Sequence, residues 1–194
     1  MKIERCTKPA FVVIGKAGST LDGPGFIQKL WADANAHFSE VQPLAKRDEG
    51  GNLAGIWGAM SDFSHSFKPW EDNFRKGLYL AGVECVDDAQ APAGWVKWTI
   101  PGYEYLCAEV EDENTFSQVL DYMRENHLPL VGAVHDFSSP VNGRLNSDKV
   151  LFSFARGRER CDRNGHAVFL RPGVDFATTG SEITGISTSS TKLK

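Results

Sequence analysis

Cysteine is scarce in this 194-residue chain, which has four, and no two of them form a Cys-x-x-Cys pair. Three of the four lie inside apolar, strand-like runs, where a free cysteine behaves as a small hydrophobic residue. Nor does the first segment, Met1 to Glu4, contain the apolar region of a signal peptide. We therefore expect a reduced, cytoplasmic protein.

Long apolar runs and excess positive charge are also missing. No stretch approaches 18 apolar residues, so no segment is predicted to span a membrane. The net charge is −4 and the isoelectric point is about 5.7, which argues against direct nucleic-acid binding, since that favours a basic stripe. A hydrophobic content of 41% and a charged content of 24% are typical of a soluble globular protein.

One local pattern is present twice, about half the chain apart. Residues 4–15 and 96–107 each contain an extended segment, a Thr-x-Pro motif beginning at Thr7 or Thr99, and an apolar strand. This repeat is too long for a solenoid, whose period is roughly 20 to 50 residues. It predicts two similar half-domains with a cleft between them, where ligands usually bind.

Each half reads as strand, helix, strand, strand. Apolar residues recur at helical spacing in two places. These residues are Phe26, Leu30, Ala34 and Phe38 in the first half and Phe116, Val119, Leu120 and Met123 in the second. Thr115-x-x-Gln118 has the form of a capping box at the start of the second helix. The strand-like runs are 53–60, 78–86, 95–100, 103–110, 130–137 and 150–155. This order indicates an α+β fold with the helices on one face of a sheet.

Two further segments differ from the repeat. Residues 61–76 form a long loop with four aromatic residues, which argues against disorder, and we expect Phe67 and Trp70 to cover the mouth of a pocket. Residues 177–194 contain nine serine or threonine residues and no aromatic residue, so we expect a floppy tail.

Six short motifs in order resemble the GyrI-like small-molecule-binding domains, which also serve as effector-binding domains of AraC-type and MerR-type regulators. The motifs are Phe11-Val12-Val13-Ile14-Gly15, Leu30-Trp31, Tyr79-Leu80-Ala81-Gly82-Val83-Glu84, Pro92-Ala93-Gly94-Trp95, Thr99-Ile100-Pro101 with Tyr105, and Gly132-Ala133-Val134-His135-Asp136-Phe137. The resemblance implies two pseudo-twofold-related strand-helix-strand-strand units in a curved antiparallel sheet, with an aromatic, acid-containing pocket at their junction.

The resemblance covers one predicted domain, 1–156, with half-repeats 2–86 and 95–155. Two departures from the family pattern stand out. The chain continues for almost forty residues, so 157–194 is expected to be a partly disordered extension. Many relatives carry Glu where Asp136 stands, so the same carboxylate role would here fall to a shorter side chain.

The candidate ligand-binding residues are mostly aromatic. Each could equally belong to the core, whereas together they could form a box of ring faces for a flat or cationic ligand. Strand alternation places Tyr105 toward the seam, and it gives Tyr79 and Glu84 opposite parity, so both cannot line one face without a bulge. The candidates are Trp57, Phe67, Trp70, Tyr79, Trp98, Tyr105 and His135.

Two carboxylates are the candidate catalytic or charge-neutralising groups. Glu84 lies inside an apolar run, and Asp136 follows His135 at a strand end. Buried acids are rare unless they are paired or used. Each could neutralise a ligand cation or act as a general acid or base, and the alternative for each is a strand end facing water. We expect Asp136 and Tyr105 to open onto one cavity.

Other chemistries receive little support. The histidines show no ligand-like spacing, so no metal site is predicted, and nothing orients Cys107 as a nucleophile. No cofactor is expected.

The sequence favours a stand-alone protein that holds hydrophobic, aromatic or cationic small molecules, for effector sensing or drug sequestration. The alternative is a hydrolase on the same scaffold, because some GyrI-like proteins hydrolyse cyclopropane-containing, DNA-alkylating natural products. A protein partner or a homodimer is a third reading. Tests of binding and of turnover separate these functions.

Overall fold

In the computed structural model, which describes residues 2–141, 144–145, 149–154, 160–161 and 167–168, eight antiparallel strands form one sheet. Two helices of eleven residues cover it, together with three short 3₁₀ turns at 20–22, 38–40 and 42–44. The elements are β1 (Ile3–Lys8), β2 (Phe11–Ser19), α1 (Phe26–Ala36), β3 (Ile56–Ser61), α2 (Glu71–Phe74, a single turn), β4 (Leu78–Cys85), β5 (Val96–Ile100), β6 (Tyr103–Glu109), α3 (Thr115–Glu125), β7 (Leu130–Ser138), β8 (Pro140–Val141), β9 (Arg144–Leu145), β10 (Lys149–Phe154), β11 (Arg160–Cys161) and β12 (Ala167–Val168).

The sheet order is β1-β6-β10-β7-β3-β4-β2-β5. It contains two units of the same topology, β2-α1-β3-β4 and β6-α3-β7-β10, which meet where β3 pairs with β7. The predicted α+β class and curved antiparallel sheet are confirmed. The sequence did not predict that the leading strand of each unit pairs with the other unit, β1 with β6 and β5 with β2.

This exchange of leading strands bends the sheet. β1 lies at one edge and β2 next to the other, yet only Pro9 and Ala10 join them. The three peptide steps from Lys8 to Phe11 can span at most about 11 Å. The two edges must therefore approach each other, and the sheet curves around its helix-free face.

The two proline connectors touch where they cross. A Cβ atom added to Gly102, in the second connector, would lie 2.9 Å from the backbone nitrogen of Ala10 and 3.1 Å from the carbonyl oxygen of Lys8. These distances are shorter than normal van der Waals contacts, so the position where the connectors cross requires a residue without a side chain.

Strand alternation sorts the residues of the sheet into two layers. On the outer face Val12 and Ile14 pack with Ala34 of α1, and Leu106 packs with Val119 of α3, so both helices cover the same face, as predicted. The inner face encloses a cluster of buried side chains from all the central strands. This inner cluster comprises Phe11, Val13, Trp57, Ala59, Phe67, Leu80, Trp98, Ile100, Tyr105, Cys107 and Leu151.

The helix ends differ slightly from the sequence expectation. Phe38 lies in the 3₁₀ turn after α1 rather than in the helix itself. The capping box predicted at Thr115 does not form, because α3 is preceded by Asn114 with no side-chain cap. Instead, the Thr115 hydroxyl accepts hydrogen bonds from the N–H groups of Glu111 and Asp112, which fixes the turn leading into the helix.

The domain boundary predicted at 156–157 and the predicted floppy tail fall almost wholly outside the described residues. Only the short antiparallel pair of β11 and β12 belongs to the described part of the extension. Among the described residues, no helix is both long and apolar enough to cross a membrane.

A buried carboxylate organises the first part of the loop after β3. Asp62 accepts hydrogen bonds from the hydroxyls of Ser61, Ser64 and Ser66 and from the N–H groups of Ser66 and Lys68. Burial alone would raise the pKa of Asp62, but these donors outweigh it and hold the pKa well below the usual value. The loop conformation therefore depends on the ionised form.

Replacing Asp62 with Asn should lower the free energy of unfolding near pH 7 by about 2–3 kcal/mol, since charged hydrogen bonds to several donors are lost. Because the pKa of Asp62 is lower in the folded state, its contribution is present above about pH 4 and is lost as the pH falls. Urea unfolding of both proteins at several pH values measures this, and the stability difference should shrink in acid.

The matched control is Asp72→Asn in the same loop. The Asp72 carboxylate is exposed and pairs with the exposed Lys76, so its loss should change stability by less than about 0.5 kcal/mol. Equal effects of the two substitutions would contradict the role assigned to Asp62.

Candidate functional site

The sheet divides the residues proposed from the sequence into two sets. Tyr79, Trp70 and Asp136 lie on the outer side, under the helices. The remaining six lie on the inner side or are buried against it. They are Trp57, Phe67, Glu84, Trp98, Tyr105 and His135.

Alternation along the strands explains the division. His135 and Asp136 are adjacent on β7, so their side chains leave opposite faces, and His135 packs near the Tyr105 ring with centroids 6.2 Å apart. Tyr79 and Glu84 have opposite parity on β4, and no bulge brings them together. Asp136 and Tyr105 therefore do not open onto one cavity, contrary to the expectation from the sequence.

On the inner side, Glu84 is fully paired. Its carboxylate, 1% exposed, lies 2.9 Å from Nζ of Lys8 and 3.6 Å from Nζ of Lys46. Nε1 of Trp57 donates a third contact, a 3.2 Å hydrogen bond to Oε2, the oxygen that is also nearest to Lys8. A buried acid with this many partners is satisfied by the protein itself.

Lys8 occupies the place that a ligand cation would take. Its ammonium lies 4.5 Å from the ring centre of Phe11 and 5.6 Å from that of Trp57, while it pairs with Glu84. Aromatic faces and a carboxylate around a cation form the arrangement that the sequence predicted for a ligand. Here the cation belongs to the chain.

His135 is a neutral core residue. Its ring is completely buried, and Nδ1 accepts a hydrogen bond from the Met60 N–H. Burial lowers the pKa of His135 to about 3, below its ordinary value near 6.5. The unfolded chain binds the proton more readily between these two values, so the contribution of His135 to stability is lost as the pH falls through this range. Burial also raises the pKa of Tyr105 above its usual range.

These inner contacts indicate a structural role for Glu84, whereas Asp136 on the outer side is only partly buried. We expect Glu84→Gln to lower the free energy of unfolding by about 2–4 kcal/mol, because two lysines lose their buried partner. Asp136→Asn should cost less than about 1 kcal/mol, since a neutral amide can still accept from Tyr79. Urea unfolding of both variants measures the difference, and a larger loss for Asp136→Asn would reverse the assignment.

On the outer side, a short hydrogen-bond chain fixes Asp136. Nε1 of Trp31, in α1, donates to the Tyr79 hydroxyl at 3.2 Å, and that hydroxyl donates to Oδ2 of Asp136 at 2.9 Å. The first half-repeat thus supplies Trp31 and Tyr79, and the second supplies the acid. The chain of bonds crosses the junction of the two units.

The absence of a side chain at Gly58 allows the hydrogen-bond chain to cross the junction of the two units. In β3 it is paired with Ala81 of β4 on one side and with Asp136 of β7 on the other. A Cβ atom at Gly58 would lie only 2.0 Å from the Tyr79 hydroxyl and 2.9 Å from Oδ2 of Asp136. The missing side chain on the middle strand lets Tyr79 reach across to Asp136.

Three partly exposed aromatic rings lie on the same face of the sheet as this carboxylate. Phe26 of α1 stands edge-on to Tyr79 with centroids 6.4 Å apart. Phe74, from the loop, packs edge-on against Phe116 of α3 at 5.1 Å and also contacts the cluster beneath α1. We use the name helix groove for the outer face of the sheet at the junction of the two units, where Tyr79 bonds to Asp136 and Phe74 packs against the clusters beneath both α1 and α3.

The loop contributes to both sides of the sheet rather than forming one cover. Phe67 was predicted to cover the mouth of a pocket, but it is buried in the inner cluster. Trp70 lies in the outer cluster and donates to the carbonyl of Leu78. Three successive residues before β4, Asp72, Asn73 and Phe74, have positive φ values between 50° and 62°, a costly conformation for non-glycine residues. This turn directs Phe74 into the groove.

Sequence reasoning missed Phe26, Trp31, Gly58, Phe74 and Phe116 as site residues. The helical period identified Phe26 and Phe116 as apolar, but not which rings would remain partly exposed. The glycine carried one signal, since a strand-interior glycine often marks a close approach by another group. Among the described residues, no cluster of three histidine, cysteine or acidic side chains could hold a metal ion.

Substituting Gly58 with Ala should displace Tyr79 from Asp136 and lower the free energy of unfolding by about 1–3 kcal/mol, the usual cost of overpacking. A double-mutant cycle with Tyr79→Phe measures the contact directly. The penalty for Gly58→Ala should be smaller by at least about 0.5 kcal/mol when the hydroxyl is absent. Additive effects would show that the hydroxyl is not what the new methyl group meets.

Comparison with known proteins identifies solved structures that share the fold of this chain, but no closer relationship. No protein-family model and no curated protein sequence matches this chain. Among solved structures, SAV2435 bound to tetraphenylphosphonium is similar with a TM-score of 0.54 and 16% identity, over 86% of this chain and 100% of that one. The EcmrR C-terminal domain is similar with a TM-score of 0.53 and 10% identity, over 80% of this chain and 98% of that one.

At such low identities the likeness is one of fold. Both matches cover almost the full length of the compared chains. The chain therefore shares its fold with SAV2435 and with the EcmrR C-terminal domain.

Proposed function

We propose that this protein binds hydrophobic organic cations in the helix groove, with Asp136 as the counter-charge. One observation carries the proposal: a partly buried carboxylate, fixed by Tyr79, lies on the same face of the sheet as the partly exposed rings of Phe26, Phe74 and Phe116. The rings supply apolar area and cation–π attraction, and the acid supplies charge. SAV2435, which shares the fold, was solved with a hydrophobic cation, tetraphenylphosphonium.

The inner side of the sheet is a weaker candidate for the same function. Its acid, Glu84, is already neutralised by Lys8, and its rings are almost completely buried. A ligand there would have to displace an internal ion pair and part of the core. The acid of the helix groove, Asp136, is only partly buried.

The test is calorimetric titration of tetraphenylphosphonium into the wild-type protein and the Asp136→Asn variant. Removing the carboxylate should weaken binding by about 1–3 kcal/mol, or roughly 5- to 150-fold, the scale of a charged contact that loses its partner. Neutral triphenylphosphine oxide should bind both proteins with similar affinity. Salt should weaken binding of the cation to the wild type more than to the variant.

Two control variants sharpen the test. Glu84→Gln, at the inner acid, should leave cation affinity nearly unchanged at a temperature where the variant is folded. Phe74→Ala should weaken binding of the cation and the neutral compound alike, since it removes apolar area. If Asp136→Asn weakened binding of both probes equally, the carboxylate would stabilise the fold and would not recognise the charge of the ligand. If neither probe bound the wild-type protein, the proposal would be wrong.

A hydrolase acting on strained, cyclopropane-containing alkylating agents is the second candidate. It is favoured by the Trp31–Tyr79–Asp136 chain, which holds a carboxylate in one orientation, as a general base for water requires. Turnover of such a compound, followed by mass spectrometry, separates the two functions. In an enzyme, Asp136→Asn would reduce turnover and leave binding of the neutral substrate nearly intact.

A further inference from the structure

Two cysteine thiols, 101 residues apart in the chain, lie in contact on the inner side of the sheet. The exchange of leading strands places β1 beside β6, where Cys6 is paired with Tyr105 and Cys107 is paired with Glu4. The two side chains lie on the same face, and their Sγ atoms are 2.6 Å apart. A disulfide bond has a length of about 2.05 Å, so its formation needs a movement of roughly half an ångström.

The environments of the two thiols differ. Cys6 is exposed on the edge strand, whereas Cys107 is 8% exposed and belongs to the inner cluster. The hydrogen bond from Cys107 lowers the pKa of Cys6 to about 7, burial opposes this, and the cations of Lys149 and Lys8 add to it. The same contact raises the pKa of Cys107 above its usual range. Since the thiolate is the nucleophile, the exposed Cys6 is the reactive member.

Cys85 provides an internal contrast. It is fully buried in the outer cluster, and burial raises its pKa to about 11. Its Sγ lies 3.5 Å from the carbonyl oxygen of Val83. A thiol in this position is inert toward oxidants that reach Cys6.

We propose that Cys6 and Cys107 form a two-cysteine site that reacts with hydroperoxides, with Cys6 as the nucleophile and Cys107 as the resolving thiol. The Cys6 sulfur attacks one oxygen of hydrogen peroxide, the O–O bond breaks, and sulfenic acid and water form. The Cys107 sulfur then attacks the Cys6 sulfur and displaces its oxygen as a second water molecule. In sum, two thiols and one hydrogen peroxide give one disulfide and two waters, and a dithiol reductant reverses the bond by exchange.

The resulting bond would join the two half-repeats at the edge of the sheet. It would close a loop of about one hundred residues between β1 and β6, which restricts the unfolded chain strongly. The melting temperature of the oxidised protein should rise by about 5 °C or more and return after treatment with dithiothreitol.

The experiment uses the full chain with Cys161→Ser in every variant, so that three thiols remain. After treatment with stoichiometric hydrogen peroxide, two of the three should be lost, the intact mass should fall by two hydrogen atoms, and peptide mapping should link Cys6 to Cys107. Cys6 should react at least about tenfold faster than Cys85.

Single serine variants assign the roles. Cys107→Ser should stop at the sulfenic acid, trapped on Cys6 by dimedone, while Cys6→Ser should keep both of its remaining thiols. Cys85→Ser should still form the bond. Three results would each overturn the proposal. Cys6 and Cys107 could both stay reduced, Cys6 could pass to higher oxides while Cys107 is present, or the bond could include Cys85. The melting temperature of each reduced variant shows that it is folded.

Discussion

The exchange of leading strands between the two half-repeats is the constraint on which the rest of the structure depends. Each half begins with a strand that pairs with the other half, and each of these strands is tied to its own half by a two-residue, proline-containing connector. Connectors so short force the two edges of an eight-stranded sheet toward each other. The curvature buries the inner cluster and leaves both helices on the outer face.

The same curvature gives the two candidate acids different environments. Glu84 faces the enclosed side, where Lys8, from the exchanged strand β1, reaches it across the curve. Asp136 faces the outer side at the junction of the units, where a glycine on the middle strand opens the way for Tyr79. One acid is therefore buried in an internal ion pair, and the other is only partly buried. This difference in burial is the reason that we propose Asp136 as the counter-charge for a ligand.

The exchange also creates the contact between the two thiols. Cys6 and Cys107 belong to different half-repeats, and without the pairing of β1 with β6 they would lie on separate units. The proposed redox site and the proposed ligand groove lie on opposite faces of the sheet. A bond between the thiols would fix the edge strand whose Lys8 neutralises Glu84.

The sequence by itself determined the elements and their class. The Thr-x-Pro repeat, the helical spacing around Phe26 and Phe116, and the strand-like runs predicted two strand-helix-strand-strand units, because periodicity and turn chemistry are local properties of the chain. Alternation also predicted that Tyr79 and Glu84 leave opposite faces. These residues and their strand parity were sufficient for the fold class, but not for the pairing order of the strands.

Only the tertiary structure decided which candidates meet. Parity within one strand does not say which strand lies beside it, so the sequence could not show that Asp136 faces α1 while Tyr105 faces the inner cluster. Partners such as Lys8 for Glu84, Trp31 for Tyr79 and Cys6 for Cys107 come from distant segments. They are set by the pairing order of the strands, which depends on how two connectors cross and not on any local pattern.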